Sequence, residues 1–133
     1  MHKFIFFLFI CFACLNVEAQ DSIKKYSLAI HFNSICCGVP DDAILKKEIR
    51  KFRKTYHIKS VSALKVSPLG REGEYDLYFS LKDIPRKRRG SFTRLLQRTI
   101  PKLTDKGNAS LEFEAELNKS ALPANVEYKK VYF

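Results

Sequence analysis

Between Tyr26 and Phe133 the chain switches repeatedly between two hydrophobic periods, and this switching constrains the fold more than any other feature. In "YSLAIHF", residues 26–32, Leu28, Ile30 and Phe32 alternate with Ala29 and His31, as in a half-buried strand. In "AILKKEIRKFRKTY", residues 43–56, Leu45, Ile49, Phe52 and Tyr56 recur at helical spacing. Pro40 suits the first turn of that helix, and Asp41 and Asp42 sit where the helix dipole favours negative charge. "SVSALKVSPL" predicts a second strand. "EYDLYFSL" predicts a third, with Tyr75, Leu77, Phe79 and Leu81 inward, and the turn "GREG" joins the two. Pro85 opens a second helix. Its buried stripe is Phe92, Leu95, Leu96, Thr99 and Ile100, and Pro101 ends it or kinks its last turn. "ASLEFEAEL" reads as one strand, with Ala109, Leu111, Phe113, Ala115 and Leu117 opposite Ser110, Glu112, Glu114 and Glu116. "VEYKKVYF" reads as an extra edge strand.

The order is therefore strand, helix, strand, strand, helix, strand. It predicts an α+β domain in which two helices cover one face of a four-stranded antiparallel sheet, with room for the extra C-terminal edge strand. By element order alone this resembles the ferredoxin-like βαββαβ fold. Many functions share that fold, so it implies none.

The N-terminus, "MHKFIFFLFICFACLNVEAQ", has Lys3, an apolar run from Phe4 to Ala13, and small residues at Val17 and Ala19. That is the layout of a cleaved secretory signal over residues 1–19, and the apolar run is short for a membrane span. A weaker alternative is lipoprotein processing at Cys14. Cleavage after Ala19 leaves residues 20–133 as a single domain and predicts export, to a periplasm or outside the cell. Lys3 and Glu18 leave together, so the net charge of +10 is unchanged. Cys11 and Cys14 also leave, so only Cys36 and Cys37 remain and no disulfide framework is available.

Two segments, "FNSICCG" (32–38) and "GREGEY" (70–75), resemble segments of small uncharacterised exported bacterial proteins. The resemblance covers about a tenth of the chain, as short motifs do. It implies a bacterial envelope setting and brings no activity with it.

Basic residues concentrate on the two predicted helices. Lys47, Arg50, Lys51 and Lys54 lie opposite the first apolar stripe. Arg94 and Arg98 lie away from the second stripe, and "RKRR", Arg86, Lys87, Arg88 and Arg89, precedes them. If both helices share one sheet face, these residues form one positive surface, while the glutamates of "ASLEFEAEL" leave from the other face. Such a field gathers polyanions. The expected partner is an anionic envelope polymer, a lipid surface or an acidic protein. Specific nucleic-acid reading is not expected, because aromatic stacking residues are not interleaved with the cations. A solvated surface that only keeps the protein soluble is the plainer alternative. "RKRR" is also a dibasic processing pattern, and Asn108 and Asn118 are glycosylation acceptors, but only in a eukaryotic host.

The adjacent Cys36 and Cys37 admit three states: a strained vicinal disulfide, a dithiol for Cu(I) or, with further ligands, Zn(II), or a plain turn permitted by Gly38. A nearby helix N-terminus would favour thiolate, and Asp41 and Asp42 would oppose it. No cofactor is otherwise expected. His31, His57 and Ser34 have no visible catalytic partners, and no phosphate loop, zinc signature or nucleophile elbow is present. The sequence thus points to a non-enzymatic exported binding module. A thiol or soft-metal module and a structural envelope component are the alternatives.

Overall fold

The structure is a computed structural model, and it describes residues 23–133. The signal predicted at residues 1–19, with Cys11 and Cys14, lies outside the described residues. Among the described residues no helix is long and apolar enough to cross a membrane.

The elements run β1 (Ile23–Lys25), β2 (Leu28–Ser34), α1 (Ala43–Thr55), β3 (Ser62–Ser67), β4 (Tyr75–Phe79), α2 (Arg86–Thr99), β5 (Gly107–Phe113), β6 (Glu116–Asn118) and β7 (Glu127–Tyr132). Five of the strands form an antiparallel sheet in the order β5-β2-β4-β3-β7. The sheet thus has five strands rather than the predicted four. The extra strand is "VEYKKVYF", whose backbone pairs with β3 from Ser62↔Tyr132 to Ser67↔Glu127 and so satisfies an otherwise bare edge.

Both helices pack on one face of this sheet. Leu45, Ile49 and Phe52 of α1 and Phe92 and Leu96 of α2 share a core with Leu28, Ile30, Phe32, Tyr75, Leu77 and Phe79 of the strands. Phe92 is the hinge of that core: its ring lies 5.3 Å from Phe52 and 6.0 Å from Phe79. Burying such a side chain contributes about 1.5–3 kcal/mol. As predicted, α2 stops before Pro101, and a single 3-10 turn (Ile100–Lys102) follows. The first helix begins at Ala43, later than Pro40 suggests, because Asp41 Oδ1 accepts the Ala43 N–H at 2.9 Å and closes the turn there.

The predicted strand at 109–117 is broken. Glu114 adopts φ +53°, its N–H bonds back to Ser27 O at 3.0 Å, and the chain leaves the sheet. Ala115 and Leu117 then bury on the opposite face with Ala29, Val66 and Tyr78, while β6 pairs with β1 in a separate ribbon. Ala109 and Leu111 stay on the helical side, and Phe113, expected inward, is half exposed. Period-2 alternation continues across this bend, so the sequence alone did not show it. Leu81 also lies past the end of β4, at φ +55°.

Candidate anion-binding surface

The two helices run side by side and antiparallel, because α1 starts at the sheet end where β2 finishes and α2 starts at the end where β4 finishes. A hollow of about 360 Å³ lies between them, walled by Glu48, Lys51 and Thr55 of α1, by Tyr56 just past its end, and by Ser91, Arg94, Leu95 and Arg98 of α2. It continues along the helices into a second hollow of about 370 Å³ that shares Glu48, Lys51, Leu95 and Arg98 and adds Lys102. On the outer flank of α1, Lys47, Arg50, Lys51 and Lys54 line a third hollow of about 420 Å³. Lys51 borders all three. The structure therefore brings Lys47, Arg50, Lys51, Lys54, Arg94 and Arg98 onto one side of the molecule.

The "RKRR" run divides by role. Arg86 and Lys87 are exposed in the first turn of α2, and no acidic residue stands there. Cations at a helix N-terminus meet the positive end of the dipole, an arrangement unfavourable by about 0.3–1 kcal/mol each. Arg88 instead lies over the Tyr56 ring, 4.3 Å from its centroid, and so links the helices. The Arg89 Nε donates to Ile84 O at 3.1 Å and fastens the loop before the helix. Arg53 lines none of these hollows: it donates to Ile58 O and to Phe133 O, and holds the last strand against the core.

The opposite face is mixed in sign rather than acidic, contrary to the two-sided expectation. Glu112 is engaged by His31, and Glu116 pairs with Lys25 at 3.3 Å. A hollow of about 720 Å³ lies at the sheet end beside the ribbon and sets Lys25 and Lys82 against Glu114 and Glu116. Its charges offset one another, so it has no preference for one sign of ligand.

His31, given no specific partner by sequence, is tied on both nitrogens. Nδ1 lies 2.8 Å from Asp76 Oδ1 and Nε2 lies 2.9 Å from Glu112 Oε2. The hydrogen bond to Asp76 chiefly raises its pKa above the ordinary histidine value, helped by both carboxylate charges and opposed by partial burial. The Tyr78 hydroxyl donates to Asp76 Oδ2 at 3.1 Å. The cluster laces β5, β2 and β4 together across one face. A register argument was the available signal: in antiparallel pairing His31 stands opposite Asp76 and Ser110.

Cys36 and Cys37 are exposed free thiols in the loop after β2. Cys37 has φ +67° and Gly38 φ +120°, so the glycine is needed for the turn. The hydrogen bond with the Cys36 side chain raises the Cys37 pKa, Glu72 adds to this, and Lys106 opposes it. The shift is away from thiolate, and it comes chiefly from the neighbouring thiol rather than from the helix N-terminus or from Asp41 and Asp42. Among the described residues, no group of three or more His, Cys, Asp or Glu is placed to hold a metal ion. Ser34 Oγ is buried without a hydrogen-bond partner among the described residues, so nothing there activates it.

The two segments singled out in the sequence meet at this end of the sheet. Phe32 stacks on Tyr75 with ring centroids 4.4 Å apart, and the Tyr75 hydroxyl donates to Asp42 Oδ2 at 3.1 Å. Comparison with protein-family models, curated proteins and solved structures found no match.

Proposed function

We propose that this chain is an exported, non-enzymatic module of ferredoxin-like architecture that binds an anionic partner through its helical face. One observation carries the reading: cations from both helices line one connected set of hollows, with Lys51 shared by all of them. Arg86 and Lys87 line none of these hollows, but their exposed charge at the start of α2, unfavourable to the fold, adds to the positive field of the same helix. The order β5-β2-β4-β3, crossed by α1 and α2, supports the architecture, with β7 as an addition. The engagement of both His31 nitrogens supports a structural role for the one histidine within the sheet.

The test is retention on immobilised heparin across a salt gradient. The wild-type protein is retained and elutes steeply with salt, because bound anions release counterions. Replacing Lys47, Arg50, Lys51, Lys54, Arg94 and Arg98 by Gln moves elution to far lower salt, while Cys36→Ser with Cys37→Ser leaves it unchanged. Retention of the six-site variant at wild-type salt would refute the reading. A thiol module is the second reading, favoured by the exposure of both adjacent cysteines. It requires binding or redox behaviour that the double serine variant loses.

A further inference from the structure

We infer that the hollow between α1 and α2 takes a linear acidic polysaccharide, a chain carrying both anionic groups and hydroxyls. This rests on the anion-binding reading above and narrows its ligand. The two joined hollows run along the helices, and α1, with 13 residues, extends about 20 Å. A concave track of that length fits an extended chain and not a flat bilayer.

The lining selects among polyanions. Lys51, Arg94 and Arg98 supply the positive charge. Arg94 spends one N–H on Ser91 Oγ at 3.4 Å, and Arg98 spends its Nε on Arg94 O at 3.3 Å. The rest of each guanidinium fork remains for a carboxylate or sulfate. Glu48 lines both hollows along with Lys51 and Arg98 and has no ion-pair partner among the described residues. A polyanion without hydroxyls, such as polyphosphate, meets Glu48 with repulsion alone. A sugar chain meets it with hydroxyl donors, which a carboxylate accepts. Thr55, Ser91 and Tyr56 add hydroxyls to the same walls.

The experiment is calorimetric titration at fixed salt with three probes: oligogalacturonate, inorganic polyphosphate of equal charge, and phosphatidylglycerol vesicles. Three variants are compared with wild type. Arg94→Gln with Arg98→Gln strips the groove, Arg50→Gln with Lys54→Gln removes the same charge from the flank, and Glu48→Ala removes the carboxylate. The expected result is that the groove pair weakens oligogalacturonate binding by about tenfold or more, and the flank pair by about threefold or less. Glu48→Ala weakens oligogalacturonate and strengthens polyphosphate. Equal losses for the groove and flank pairs, strengthening of both polymers by Glu48→Ala, or tightest binding to vesicles overturns the inference and leaves the broader anion-binding reading standing. Binding to none of the three probes overturns both.

Discussion

Lys51 of α1 and Arg94 of α2 face the same hollow, although 43 positions separate them in the chain. Two cations so placed repel each other, and among the described residues Glu48 is the one acidic residue lining that hollow with them. The arrangement persists because Phe52 and Phe92, on the inner faces of the same helices, are packed 5.3 Å apart in the core. Apolar burial holds the helices together against the cost of the juxtaposed charge, a cost that the proposed anionic partner would relieve.

Arg86 and Lys87 separate binding from stability. Replacing both with Glu places negative charge at the start of α2, and the folded state should gain about 0.5–2 kcal/mol. Heparin affinity should fall at the same time. Urea denaturation and the salt gradient measure the two effects. A variant that loses stability and keeps affinity contradicts the account.

Arg53 is the counter-case, an arginine on a basic helix that belongs to the fold. Arg53→Gln loses its bonds to Ile58 O and Phe133 O, and should destabilise by about 1.5–3 kcal/mol with little change in anion binding. Denaturation midpoints alongside column retention decide it.

The His31 cluster gives stability a pH dependence of known sign. Its folded pKa is raised above the unfolded value near 6.5. Its contribution is therefore fully present below about pH 6.5 and is lost as pH rises through the higher folded value. Stability by urea denaturation should decline from pH 6 towards pH 9 in the wild type and stay flatter in His31→Gln. The Tyr75 and Tyr78 phenols, raised mainly by burial, add a further loss only above about pH 10.

The Cys37 thiol has its pKa raised above the ordinary cysteine value, chiefly by its hydrogen bond with Cys36. Alkylation by iodoacetamide should therefore be slower at Cys37 than at an ordinary exposed thiol near pH 7 and should accelerate at higher pH than usual. Peptide mapping of the labelled protein resolves it. Fast labelling of Cys37 at pH 7 would instead favour the thiol module.

Much of the helical layer was legible in the sequence. Leu45, Ile49 and Phe52, and Phe92, Leu96, Thr99 and Ile100, follow the period of 3.6 and are buried as that period requires. The spacing of Arg94 and Arg98 likewise put them on one helical face. What the spacing could not show was contact between helices, so Glu48, Tyr56 and Thr55 were missed as groove walls. Periodicity was also blind to the turn at Glu114, where an exposed glutamate takes a backbone conformation usually left to glycine. Local pattern reports which face a residue takes; it does not report which sheet owns that face.

The most direct measurement is a map of backbone amide chemical shifts as heparin is titrated into the protein at low salt. The account predicts that the perturbed amides cluster on α1 and α2, around Lys51, Thr55, Ser91, Arg94 and Arg98, while those of His31, Asp76 and Glu112 stay still. Perturbations centred on the sheet face or on Cys36 and Cys37, with the helices unmoved, would contradict it.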